Sequence, residues 1–280
     1  MSTMTVVHTT SFTYGVPVTA SHNEARMTPC EGTHQRVLRS SVDIEHATWR
    51  SSYSDYWGTA VTEFEVLAPH EQMTITAESV VEVDAPDQDV DRSVGWERLG
   101  ADEVLDEFAA ELSETSATEV PDDVAALALG VAGGLDPFDA AEAICRAVRD
   151  ELEYVPGVTT VHTPAVDAWA ARTGVCQDMA HLCLGALRSV GIPARYVSGY
   201  LHSDADAPLG QTVVGESHAW IEWWTGAWFA FDPTNRVAVG DHHVVLGRGR
   251  EYGDVPPLKG VFAGGAASDL SVSVRMTRTS

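Results

Sequence analysis

Apolar and polar positions alternate along the first part of the chain. Thr5-Val6-Val7-His8 and Ser11-Phe12-Thr13-Tyr14 are β-branched and aromatic. Met73-Thr74-Ile75-Thr76-Ala77-Glu78-Ser79-Val80 keeps a period of two, and Val81-Glu82-Val83 continues it. Runs of this kind suit half-buried strands. Gly15, Pro17, Pro29, Gly32, Gly58 and Pro69 punctuate them and are expected in turns. Residues 1–85 thus read as a β-rich region, and the acidic stretch Asp84 to Asp91, which contains Pro86, as a linker.

From about residue 96 the period lengthens. Val104, Leu105, Phe108 and Leu112 fall at helical spacing. A stronger helix opens at Asp136-Pro137, with Asp as N-cap and Pro at the first helical position. Its stripe of Ile144, Val148 and Leu152 faces a core together with Cys145. A third helix follows Gly174. Its stripe is Met179, Leu182, Cys183, Ala186 and Val190, and Gly191 and Pro193 end it. Tyr196 to Leu201 reads as a strand, and two more flank Thr225-Gly226. Leu270 to Met276 is a last alternating strand after a Gly/Pro-rich loop. The expected fold is α+β: a β-rich N-terminal region, then a core over 96–280 with a helix packed on antiparallel sheet.

Composition narrows the partners. The chain has 280 residues, 44% of them hydrophobic, with 41 acidic residues against 17 Lys and Arg, a formal net charge of −24. Such a surface repels phosphate backbones and anionic lipid, so neither nucleic acid nor membrane is an expected partner. No apolar run nears the ~20 residues of a membrane span, and no basic-then-apolar stretch opens the chain. A soluble, cytoplasmic protein is expected, with Cys30, Cys145, Cys176 and Cys183 as free thiols.

Cys176 stands apart from the other three. It lies where a helix begins, and there the unpaired backbone N–H groups and the helix dipole favour a thiolate and can hold an oxyanion. Buried cysteines elsewhere are mostly inert packing. A general base and its orienter are sought in the hairpin Ser217 to Trp224 and Ala227 to Asp232. A two-residue loop pairs Trp224 with Ala227 and puts His218 and Asp232 on opposite faces. A three-residue loop, Trp224-Thr225-Gly226, sets His218 directly opposite Asp232 with Gly at the left-handed position. The second register is the one expected, and it gives an imidazole oriented by a carboxylate.

These residues also carry a resemblance. Gly174-Val175-Cys176-Gln177-Asp178-Met179-Ala180-His181, Gly191 to Tyr200, Ser217-His218-Ala219-Trp220 and Phe231-Asp232-Pro233-Thr234-Asn235 follow one another as in the bacterial transglutaminase-like superfamily. Gly247 to Pro257 resembles the family's downstream loop, with Glu251 where Asp is commoner. His8, Thr10, Tyr14, Pro17-Val18, Arg26, Pro29 and Asp55-Tyr56-Trp57-Gly58 resemble its β-rich N-terminal region, with Thr59 where Asn is commoner. The resemblance implies a papain-like cysteine fold in which Cys176 is nucleophile, His218 general base then acid, and Asp232 orienter. It implies acyl transfer through a thioester on a peptide or protein substrate. Water as acceptor makes a protease or amidase, and an amine makes a transglutaminase. The triad alone does not separate the two, although the family favours hydrolysis.

Rival readings fare worse. A non-catalytic peptide-binding module would be marked by loss of Cys, His or Asp, and all three are present. No metal or cofactor is expected: on a helix Cys176, His181 and Cys183 diverge by about 140° and about −20° from the first. No acidic loop has calcium-ligand spacing, and Gly247-x-Gly249 lacks the context of a phosphate loop. Gln177 and Asp178 read as helix starters, His242-His243 as packing or solvated side chains, and the tryptophans as hairpin core. Tyr154 reads as packing before cleft. Tyr252 and Asp254 read equally as a cleft cover or a satisfied turn. The negative surface would favour basic or neutral peptides.

Overall fold

The computed structural model describes residues 1–85, 92–204, 206–264 and 267–280, so most of the expected acidic linker lies outside the described residues. Five strands come first: β1 (Ser2–Ala25), β2 (Gln35–Ile44), β3 (Trp49–Ser54), β4 (Ala60–Val66) and β5 (His70–Val83). Helices α1 (Trp96–Leu99), α2 (Asp102–Glu107), α3 (Ala109–Leu112), α4 (Asp122–Ala132) and α5 (Pro137–Asp150) follow. Next come β6 (Glu153–Tyr154), α6 (Ala165–Ala171), β7 (Thr173–Gly174) and α7 (Cys176–Ser189). Strands β8 (Ala194–Leu201), β9 (Thr212–Trp224), β10 (Trp228–Asp232), β11 (Val237–Ala238) and β12 (His243–Gly249) continue the chain. A 3₁₀ turn at Tyr252–Asp254 precedes β13 (Leu258–Gly264) and β14 (Ala267–Arg278). The α+β class expected from the periodicities is the class observed.

The alternation in β1 and β5 does what the pattern implied. Met4, Val6, Met73, Ile75, Ala77, Ser79, Val81 and Val83 are buried, while the residues alternating with them are half-buried or exposed. Gly15 and Pro17, however, do not turn the chain. β1 runs through them, and its ladders to β5 and β14 slip between Thr13 and Val18. Beyond the slip β1 pairs with β13 and β4 instead. A proline lacks a ladder donor, so it sits where the ladder is already interrupted and the strand changes partners.

The expected helix around Val104 to Leu112 is two short ones, α2 and α3, broken at Phe108. That ring packs on Trp224 and Trp228, with centroids 4.7 and 5.6 Å away. α5 starts as expected: the Asp136 carboxylate accepts the Asp139 N–H at 3.0 Å, and Pro137 follows the cap.

α7 is the centre of the C-terminal half. Every residue from Gln177 to Arg188 is buried, and α4, α5, α6 and the sheet strands β8 and β9 surround it. A helix enclosed on all sides needs its polar groups satisfied. Arg188 donates to the carbonyls of Glu111, Ala194 and Arg250 and to the Thr118 hydroxyl. Burial lowers its pKa to about 10, with Glu251 and Glu111 opposing the shift.

One large sheet links the halves. Its main path is β11-β10-β9-β14-β1-β4-β3, with β5 and β13 also on β1 and with β8 and β12 beyond β9. β14 lies between β1 and β9, pairing Val6 with Met276 on one side and Val213 with Met276 on the other. Met4, Val6, Val81, Val83, Tyr200, Val244, Leu246, Val274 and Met276 form the buried cluster at this junction.

Candidate active site

The site begins with a glycine that cannot be anything else. A Cβ on Gly174 would lie 2.7 Å from the Asp178 Cβ, so only glycine lets that side chain fold back over the start of α7. Asp178 Oδ2 accepts the Val175 N–H at 2.8 Å and the Thr159 hydroxyl at 2.7 Å, which caps the helix and pins the loop before α6 across it. Burial raises the Asp178 pKa, against the pull of those two donors. Gln177 Nε2 donates to the Val161 carbonyl of the same loop at 3.2 Å. Asp178 thus caps the helix at whose first position Cys176 stands, while Gln177 also lines the cavity over Cys176.

His218 comes from β9, whose alternation sends Ala219, Ile221 and Trp223 to the helical core and His218 and Trp220 to the other face. Gly199 is its partner on β8, and a Cβ there would strike the Trp220 ring at 2.3 Å. The hairpin register differs from the expected one. Trp224 pairs with Trp228 and Phe231 with Ile221, so the loop is Thr225-Gly226-Ala227, with Gly226 at φ +107°. The loop has three residues but begins one position later, because Trp224 stays in the strand under Phe108. The register moves by two, which keeps the face while placing Asp232 diagonal to His218. Diagonal neighbours on one face are still within reach.

His218 Nε2 and Asp232 Oδ2 are 2.7 Å apart, and the carboxylate is fully buried. Cys176 and His218 line one cavity, and Cys176 is close enough to the imidazole to affect how it titrates. Burial on its own lowers the His218 pKa, but Asp232 and Cys176 outweigh it and raise the value to about 10. Burial likewise raises Asp232, and the His218, His243 and Asn235 donors overcome it to hold the carboxyl well below the usual range. The three residues named from the sequence therefore meet in one place.

His243 was missed. Its Nδ1 accepts the Gly240 N–H at 3.4 Å, which leaves Nε2 as the protonated nitrogen facing Asp232 Oδ2 at 3.3 Å. Asn235 Nδ2 donates to the same oxygen at 2.7 Å, and its N–H reaches Oδ1 at 3.1 Å. Donor atoms of His218, Asp232 and His243 lie within 4.8 Å of one another, a spacing a cation could use. Both imidazoles, however, spend their Nε2 on Asp232 itself, so the cluster is a hydrogen-bonded carboxylate.

The other candidates are dispersed. His181 Nε2 accepts the Tyr252 N–H at 3.1 Å, and burial lowers its pKa to about 3, so it is neutral. Cys183 Sγ faces the Cys145 carbonyl in the core at 3.9 Å. Cys30 lies against the Leu246 carbonyl, and burial pushes its thiol up to about 11. Asp254 accepts the N–H and guanidinium of Arg250, which makes it a satisfied turn, while Tyr252 lines the cavity over Cys176. Tyr154 pairs with Gly174 in a short parallel ladder and is not among the residues lining the cavity. Of the two departures, Thr59 packs against Gly247 and Glu251 accepts from Thr115.

A cysteine at a helix start with an antiparallel sheet supplying His and Asp defines a transglutaminase-like cysteine protein. The profile of the Transglutaminase-like superfamily matches residues 125–233, and that of the Bacterial transglutaminase-like N-terminal region matches residues 4–82. The chain belongs to this superfamily. It is 47% identical to an uncharacterized protein of Mycobacterium leprae over 98% of each chain. It is 31% identical to a protein-glutamine gamma-glutamyltransferase of Pseudomonas aeruginosa over 35% of this chain and 16% of that one. A candidate cysteine protease from Cytophaga hutchinsonii shares the fold, with a TM-score of 0.73 over 100% of this chain and 99% of that one at 19% identity.

Proposed function

We propose that the protein hydrolyses peptide or amide bonds through a thioester on Cys176. The observation that carries this reading is the buried His218–Asp232 pair at 2.7 Å, with Cys176 beside the same imidazole in one cavity. His218, oriented by Asp232, takes the Cys176 proton in the attacking step. The Cys176 sulfur attacks the substrate carbonyl carbon, and the N–H groups of the first turn of α7 face the oxyanion that forms. The C–N bond then breaks as His218 gives its proton to the leaving nitrogen. A water molecule attacks the thioester while His218 takes a proton from it. The C–S bond breaks, the carboxylic acid leaves, and the thiol and imidazole are restored.

A second reading, transfer of the acyl group to an amine, has support in the segment shared with the Pseudomonas aeruginosa gamma-glutamyltransferase. One experiment tests both: digestion of a peptide library by wild type and Cys176→Ala, with and without an added primary amine. New peptide ends that vanish with Cys176→Ala support hydrolysis, and amine incorporation supports transfer. Ends that persist in Cys176→Ala would place the activity elsewhere.

A further inference from the structure

The cavity above Cys176, about 350 Å³ in volume, has two walls of different origin. The catalytic half contributes Cys176, His218 and Tyr196. The other wall belongs to the N-terminal sheet, and it continues the face that closes the junction between the halves. Along β14, Leu270, Val272, Val274 and Met276 share that face. Met276 and Val274 are buried in the junction, whereas Leu270 and Val272 are 60% and 52% exposed and line the cavity. Opposite them on β1 lie Phe12 and Thr10, in register with Leu270 and Val272. Two apolar side chains left open on an otherwise buried face are spaces for a contact that this chain does not itself fill.

Charge sharpens the point. The protein carries −24, yet no carboxylate, amine or guanidinium lines this cavity among the described residues. His8, which faces it, is hydrogen-bonded to the Tyr200 hydroxyl at 2.8 Å and to Thr10 at 3.1 Å. A neighbouring cavity of about 570 Å³, beyond Tyr252 and Leu258, differs: Glu251, Lys259 and His162 line it. The compartment that contains the nucleophile is thus mainly apolar, with His218 as the charged group on its walls.

We infer that the site selects substrates carrying a bulky uncharged apolar group beside the attacked carbonyl, seated against Phe12, Leu270 and Val272 of the N-terminal sheet. The inference rests on Cys176 as nucleophile and adds the substrate class. It also replaces the expectation that overall charge sets preference, since the surface negative charge does not reach the walls of this cavity.

The test uses two neutral reagents on the full chain, N-butyl iodoacetamide and N-(2-hydroxyethyl) iodoacetamide. Alkylation rates at Cys176 are read by peptide mapping, each divided by the reagent's rate with free cysteine. Burial of the butyl chain predicts a preference for it of about tenfold. Leu270→Ser and Val272→Ser should each remove most of that preference, read as the butyl-to-hydroxyethyl ratio, with an unchanged far-UV circular dichroism spectrum showing that the protein has folded. Val261→Asp, exposed on β13 outside both cavities, should change neither rate. Equal normalised rates in the wild type, or a preference that survives both cavity substitutions, would overturn the inference and leave the nucleophile standing. Labelling of Cys176 slower than Cys30 with both reagents would overturn the nucleophile reading and the inference with it.

Discussion

Asp232 takes three side-chain donors on Oδ2 and a backbone N–H on Oδ1, and this crowding governs how His218 titrates. The imidazole is almost wholly buried, and burial alone would strip its proton; Asp232 and Cys176 reverse that and raise it to about 10. The linkage has a definite sign. Between about pH 6.5, where the unfolded histidine loses its proton, and about pH 10, the folded state binds one proton more than the unfolded state. Stability from this group is therefore full below about pH 6.5 and is lost as pH rises towards 10, by at most about 1.4 kcal/mol per pH unit. Asp232→Asn removes the main opposing group and leaves burial to dominate. Its His218 should titrate far below 10, and its unfolding free energy should lose the pH slope over this window. NMR titration of the His218 ring and urea unfolding at pH 6.5, 8 and 9.5 measure both. A His218 pKa unchanged in Asp232→Asn would mean that the carboxylate does not hold the proton. At this scale Cys176, His218 and Asp232 were legible, because a helix start and strand parity are local properties. His243 was not: it reaches Asp232 through the irregular path from Pro233 to His242, where no period says which way a side chain points.

At the scale of one element, α7 shows where periodicity misleads. The stripe of Met179, Leu182, Cys183, Ala186 and Val190 described one buried face, whereas the helix is buried on all of them. The covering segment, Thr118 to Val120, is irregular and carries no pattern to announce itself. Its approach is closest at Gly185, where a Cβ would meet the Thr118 carbonyl oxygen at 2.2 Å and Val120 Cγ1 at 2.4 Å. Intrinsic propensity favours Ala over Gly inside a helix by up to about 1 kcal/mol. Here the clash with backbone should win, and Gly185→Ala should destabilise the protein by about 2 kcal/mol. Gly130, in α4, has nothing within 4 Å of the position of a Cβ. Gly130→Ala should therefore stabilise by up to about 1 kcal/mol. Opposite shifts in the denaturant midpoint are expected from one substitution at two sites. Stabilisation by Gly185→Ala would show that the crossing segment moves aside at little cost.

For the whole molecule, the sequence divides at the acidic stretch, but the sheet does not. β13 and β14 come last in the chain and pair with β1, the first strand. Pairings across more than 230 residues leave no local trace, since alternation tells which face a strand buries and not which strand lies beside it. The consequence is energetic as well as topological. A fragment spanning residues 92–257 keeps the triad and its helices but loses β14 from the edge of β9. It also loses Met4, Val6, Val274 and Met276 from the buried junction, which leaves Tyr200, Val244 and Leu246 facing water. An exposed strand edge beside an uncovered apolar face invites association. The fragment is therefore expected to aggregate or to lack fixed tertiary structure. Its NMR spectrum should be poorly dispersed, and alkylation of Cys176 should fall to the rate of a free thiol in denaturant. A dispersed spectrum with rapid, selective labelling of Cys176 would establish the catalytic half as independently folded. The N-terminal sheet would then be a wall of the cavity and not a condition for the triad to form.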